Sequence, residues 1–170
     1  MIADLVLPVE LEARIGAVTV RPADPSDLDA LMELLADDPV SAARGDVAAP
    51  GDRARYADAL AAIQAEPSNA LLVAVDGEGA LVATLQLTRI PGMARRGASR
   101  LLVEAVRVRS DLRSTGIGTA LMRWVMEDVA RVLDCALVQL TSDAARVDAH
   151  RFYERLGFTG SHLGFKYAVR

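Results

Sequence analysis

Residues 101–132 pass from a β-branched run, through a turn with two glycines, into a long helical stripe. Residues 101–108 read Leu-Leu-Val-Glu-Ala-Val-Arg-Val, the pattern of a short buried strand. From Ile117 the apolar positions recur at Ala120, Leu121, Trp124, Val125, Val129, Val132 and Leu133, which is one face of a helix. Gly116 and Gly118 let the connecting backbone turn sharply or lie close to a ligand. A turn of this kind leaves unbonded N–H groups at the positive end of a helix dipole, and such a place binds phosphate.

Three known phosphate-binding patterns can be compared with this turn. A P-loop needs lysine after its second glycine, and Lys166 is the only lysine in the chain. A dinucleotide fingerprint needs a third glycine, and Leu121 stands at that place. What remains is Arg-x-x-Gly-x-Gly, written Arg113-Ser114-Thr115-Gly116-Ile117-Gly118. Further on, residues 149–158 fit Ala-x-x-Phe-Tyr-x-x-x-Gly-Phe, with Ala149, Phe152, Tyr153, Gly157 and Phe158 at the fixed places. Together and in this order, the two segments resemble the GNAT N-acetyltransferase superfamily. The resemblance covers residues 18–169 as a fold and 101–158 in detail.

Composition bounds the size and class of the chain. At 170 residues the chain fits one domain with a sizeable core. Residues 18–170 are expected to form it, with 1–17 as an N-terminal arm that is partly ordered. The net charge of −4 gives no basic footprint for nucleic acid. No apolar run reaches the length of a membrane span. Asp4, Glu10 and Glu12 without a basic segment do not suit a signal peptide. With its single Cys135, this suggests a cytoplasmic protein. His150 and His162 form no metal-ligand spacing with Cys135, so no metal is expected.

The remaining elements are expected in the order β, α, α, three strands, then αβαβ. This makes an α/β fold, a mixed sheet with helices on both faces. Residues 18–21 read as the first strand, and Asp24-Pro25-Ser26-Asp27 as a helix start. A polar connection over 37–52 carries Asp37, Asp38 and Asp46, which would suit a cationic ligand. A helix is expected over 52–65, and a hairpin over 71–88 turns at Asp76-Gly77-Glu78-Gly79. The loop over 90–100 holds Arg95, Arg96 and Arg100, which would meet solvent, an anion or the other half of a homodimer. A buried strand is expected over 136–141 and the last strand over 162–169, with a helix over 147–156 between them.

The resemblance implies more. It implies a sheet of six to seven strands whose two central parallel strands splay to admit acetyl-CoA. The pantetheine arm would meet the backbone of Val106, Arg107 and Val108. The pyrophosphate would meet Arg113, Ser114, Thr115, Gly116, Ile117, Gly118 and Thr119. Family members often carry Asn seven residues before the tyrosine; Arg146 stands there, and an arginine would reach a phosphate instead. The acceptor is a small-molecule or peptide amine.

Acetyl transfer to an amine needs a base, because a free alkylamine is mostly protonated near neutral pH. Glu104 is the only charge in residues 101–106. It is the candidate base, direct or through water; the alternative is a structural Glu paired with Arg89 or Arg100. Plain alternation would group Glu104 with Val106 and Val108, unless a bulge intervenes. Tyr153 is the candidate acid to the leaving thiolate. A second reading is a CoA-binding regulatory domain with the same fold and no efficient acceptor chemistry.

Overall fold

Among the described residues, six strands form one sheet in chain order: β1 (Val9–Ala13), β2 (Gly16–Pro22), β3 (Asn69–Val75), β4 (Leu81–Ile90), β5 (Ser99–Val108) and β6 (Cys135–Leu140). All neighbours are antiparallel except β5 and β6. The computed structural model describes residues 2–169. The chain divides into two compact units at the boundary between Leu140 and Thr141.

The first unit holds the sheet. Within the stretch read as an arm, Val9–Ala13 is an edge strand, with Val9, Leu11 and Ala13 half-buried and Glu10 and Glu12 exposed. Asp24 and Asp27 make a capping box at the turn Pro25–Asp27, which leads into α1 (Leu28–Ala36). Asp27 is nearly buried, and Arg21 grips it with two hydrogen bonds of 2.7 and 2.8 Å. The guanidinium of Arg21 holds the Asp27 carboxyl below the usual carboxylate range, against the opposing effect of burial.

The polar connection contains one short helix, α2 (Pro39–Ala42), and is followed by α3 (Arg53–Ala65). Leu28, Leu31, Leu60, Ala23 and Val73 pack into a core between α1, α3 and one face of the sheet. On the other face, Leu85, Leu87, Leu101 and Val103 are fully buried. After a short distorted turn, α4 (Ala94–Gly97), and then β5, the expected long helix runs as α5 (Ile117–Trp124), one wider π turn (Val125–Val129) and α6 (Ala130–Val132). Ile117, Leu121, Met122 and Val125 are buried, each contributing about 1.5–3 kcal/mol. Arg89 donates to the carbonyl of Leu133 at 2.8 Å and ties the end of this helix to β4.

Strand β6 corrects an expectation. It was expected as a buried strand, yet none of its residues is buried. It is the sheet edge, and its apolar run alone does not supply a covering layer.

The second unit contains α7 (Val147–Arg155). Its end is a Schellman motif: Phe158 N–H donates to Tyr153 O at 3.0 Å and Gly157 N–H to Glu154 O at 2.9 Å, with Gly157 at φ +94°. The strand expected over 162–169 is absent, and these residues take no regular structure. Leu163, Phe165, Tyr167 and Val169 alternate as a strand would, but are 85–91% exposed. Alternation provides an apolar face; only pairing with a neighbour makes a strand.

Candidate active site

The site is built where β5 loses its parallel neighbour. Pairing with β6 runs from Ser99 opposite Cys135 to Val103 opposite Leu140 and stops there. Beyond Val103, β5 keeps only β4 beside it. Arg109 N–H donates to Val82 O, on the β4 side. Backbone groups alternate along a strand, so Val106 and Val108 turn theirs to the open edge. The carbonyl of Val106 accepts from Arg107 Nη1 at 2.8 Å, and that of Val108 from Arg113 Nε at 3.5 Å. Their N–H groups are left facing outward, a ready surface for pairing. Arg107, between them, turns its backbone to β4 and its guanidinium to Ser41 Oγ of α2 at 2.7 Å.

A β-bulge lies inside this segment. Thr84 pairs with Arg107 and Gln86 with Glu104, so β5 spends one extra residue over the interval. Ala105 takes φ +50° to absorb it. The bulge changes which side chains share a face: Glu104 falls with Arg107, not with Val106 and Val108 as plain alternation predicts. The face is the one that carries α1, since Thr84 pairs with Val73 of that core.

Glu104 is exposed on this face and makes no hydrogen bond or ion pair among the described residues. The alternative partners are accounted for: Arg89 is directed to Leu133, and Arg100 is exposed. Opposite Glu104 stands Gln86, whose amide Nε2 donates to Asn69 Oδ1 at 3.0 Å. Thr88 donates to the same oxygen at 2.6 Å. The strip beside the carboxylate is therefore polar and neutral.

From Val108 the chain enters the turn. Ser114 has φ +64° and Gly116 φ +99°. Gly116 is the N-cap of α5 and supplies no side-chain bond, while Ala120 N–H makes the first helical bond, to Gly116 O at 2.9 Å. The N–H groups of Ile117, Gly118 and Thr119 lack intrahelical partners. Arg113 reaches Asp37 O at 2.8 Å, and Ser110 N–H donates to the Asp37 carboxylate at 2.6 Å. The turn between β1 and β2, at Arg14 and Ile15, lies against Gly116.

Two charge clusters that sequence reading set against each other have different fates. The acids are engaged by the fold: Asp37 as above, Asp38 capping α2 through Ser41 N–H, and Asp46 accepting from Tyr56 OH at 2.8 Å. Burial and then Asp46 push the Tyr56 phenol up to about 12. Arg95, Arg96 and Arg100 are exposed. Arg100 precedes Glu104 by four strand residues, about 14 Å at 3.4 Å per residue. Arg100 therefore does not stand beside Glu104.

A cavity of about 550 Å³ opens at the starts of β5 and β6, lined by Arg89, Ser99, Met126, Arg131 and Cys135 among others. None of the expected site residues lines it. Burial pushes the Cys135 thiol up, as suits a half-buried small side chain.

In the second unit, Arg146 is the N-cap residue of α7, half-buried. Tyr153 is half-buried, its ring meeting Phe152 edge-on at 5.1 Å and Phe158 at 5.8 Å between centroids. The three aromatics and the Schellman end fix the tyrosine on its helix. Among the described residues no group of three His, Cys, Asp or Glu is placed to hold a metal ion, and no helix is long and apolar enough to cross a membrane.

Comparison with known proteins follows the same line. The model of the acetyltransferase (GNAT) family matches residues 28–158. A crystal structure of a transcriptional regulator from Bacillus halodurans C-125 is similar at 39% identity and TM-score 0.82, covering 89% of this chain and 99% of that one. A Trypanosoma brucei acetyltransferase is similar at 25% identity and TM-score 0.70, over 89% and 99% of the two chains. An aminoalkylphosphonate N-acetyltransferase from Salmonella typhimurium is 36% identical over 67 residues, 39% of this chain and 43% of that relative's length.

Proposed function

The chain belongs to the acetyltransferase (GNAT) family, and on that premise we propose that it moves acetyl from acetyl-CoA to a primary amine in a ternary complex. The observation that carries the reading is two sets of donors on one stretch of chain. The outward N–H groups of Val106 and Val108 lead into the uncapped start of α5. A pantetheine arm carries amides that pair with a strand edge, and a pyrophosphate suits helix-terminal N–H groups. In this reading the strand edge at Val106, Arg107 and Val108 takes the arm. The turn from Arg113 through Ser114, Thr115, Gly116, Ile117 and Gly118 to Thr119 takes the pyrophosphate. Arg146 adds a positive charge toward a phosphate.

The chemistry uses two side chains. The amine nitrogen attacks the thioester carbonyl carbon, and the carbon–sulfur bond breaks. Glu104, directly or through water, takes the proton the amine gives up; its exposure and its lack of a partner among the described residues support this role. Tyr153 gives its proton to the departing thiolate.

The test is direct. Acetyl-CoA raises the melting temperature, and free thiol appears when the right amine is supplied. The panel spans amino acids, polyamines, aminoglycosides, aminoalkylphosphonates and peptide N-termini, since the acids are engaged by the fold and Arg100 lies four strand residues from Glu104. The likeness to a protein titled a transcriptional regulator favours a second reading, a CoA-binding regulatory domain without acceptor chemistry. Tight acetyl-CoA binding with no thiol release on any amine supports that second reading against the first.

Tyr153→Phe separates the two once an acceptor is known. It keeps the ring and its edge contacts with Phe152 and Phe158. Acting as the acid, Tyr153 gives a fall of about tenfold or more in kcat and kcat/KM together, at similar acetyl-CoA affinity. A merely structural hydroxyl gives a lower melting temperature with activity intact.

A further inference from the structure

Arg14 lies in the turn between β1 and β2, outside both sequence motifs. Its Nη2 donates to the carbonyl of Ser114 in the glycine-bearing turn. Its backbone N and its Cγ lie 3.0 and 3.3 Å from where a side-chain carbon on Gly116 would stand. One arginine therefore touches both left-handed positions of the turn, Ser114 and Gly116.

We propose that Arg14 is a positioning residue for the phosphate site, an inference that rests on the acetyl-CoA reading of the turn. A trans peptide is planar, with its C=O and N–H pointing opposite ways. Tying the Ser114 carbonyl to the guanidinium thus aims Thr115 N–H away from the hairpin. The cation also polarises that peptide, which strengthens the N–H as a donor. Serine avoids the left-handed region that glycine enters freely. The bond from Arg14 holds Ser114 there, and the missing Cβ of Gly116 lets the hairpin approach. Arg14 is exposed, with hydrogen-bonding capacity beyond the one bond to Ser114. The hairpin so becomes part of the cofactor site, although no phosphate-binding pattern includes it.

The experiment compares wild type, Arg14→Ala and the double variant Arg14→Ala/Ser114→Gly, each with acetyl-CoA and with S-acetyl-pantetheine, which lacks the phosphates. Arg14→Ala is expected to weaken acetyl-CoA binding about tenfold, the scale of one charge-assisted hydrogen bond. The loss falls on KM for acetyl-CoA and not on KM for S-acetyl-pantetheine. The double variant is expected to recover most of the affinity, because glycine takes the left-handed shape without help. Unchanged acetyl-CoA affinity in Arg14→Ala overturns the inference. So does an equal loss with both donors, which marks a general folding role, and so does a double variant no better than Arg14→Ala. Failure of wild type to bind acetyl-CoA would overturn the reading of the turn and this inference with it.

Discussion

Glu104→Gln is expected to lower turnover by about 10²-fold while leaving acetyl-CoA affinity nearly unchanged, the usual scale for losing a general base. The substitution is close to isosteric, and the Glu104 side chain has no partner to lose among the described residues. Folding should therefore change little, which makes the kinetic effect easy to assign. The pH profile carries the mechanism. With the base in place, the protein accepts the proton of an amine that is mostly ammonium at neutral pH. Without it, the rate depends on amine already neutral in solution. The variant should recover as pH rises toward the amine's own pKa, so the gap to wild type narrows in alkali. A profile parallel to wild type, at the full rate, would leave Glu104 without a part in the chemistry. The neighbouring Gln86 and Thr88, both anchored on Asn69, provide a control. They bear no carboxylate, so they do not restore the missing base.

The second large effect is expected at the turn. Gly116→Asp should weaken acetyl-CoA binding on the order of 10²-fold, from strain and from charge near the helix start. At φ +99° a side chain is strained, and its first carbon would meet the backbone N of Arg14 at 3.0 Å. The carboxylate also adds negative charge where phosphates approach. Gly116→Asn divides the two causes. Asparagine has nearly the same shape, enters the left-handed region about as readily, and is neutral. Asn should therefore show the steric share alone, and Asp a further several-fold loss that shrinks as salt screens it. Calorimetry on protein verified as folded by circular dichroism measures both. Equal affinity in wild type and Gly116→Asp would remove the turn from phosphate binding.

Much of the fold was legible because its signals are local. The stripe from Ile117 and the stop at Gly157 are periodicities and caps within a few residues. The edge strand Val9–Ala13 also carried a signal, the strict alternation Val-Glu-Leu-Glu-Ala, but five such residues become a strand only beside β2. Residues 163–169 alternate as well and form none. The same local pattern had opposite outcomes, because strand formation needs a partner that local sequence does not name. The acids of the 37–52 connection were legible only in part, for a related reason. Composition showed their charge, but not that Ser110, Ser41 and Tyr56 would occupy them.

By itself the sequence determined the chemistry on offer: a strand with one carboxylate, a glycine turn opening a helix, and a tyrosine on a capped helix. Each follows from residue type and short spacing. Only the tertiary structure decided how β5 presents that chemistry. Pairing with β6 ends at Val103, which leaves Val106 and Val108 without a strand neighbour on that side. A bulge at Ala105, where no glycine announces it, sets Glu104 on the face with Arg107. Arg14 reaches Ser114 across a separation of 100 residues. Register, bulge and long-range contact depend on which strands meet and where they part. That is settled by the packing of the whole sheet, not by any one segment of it.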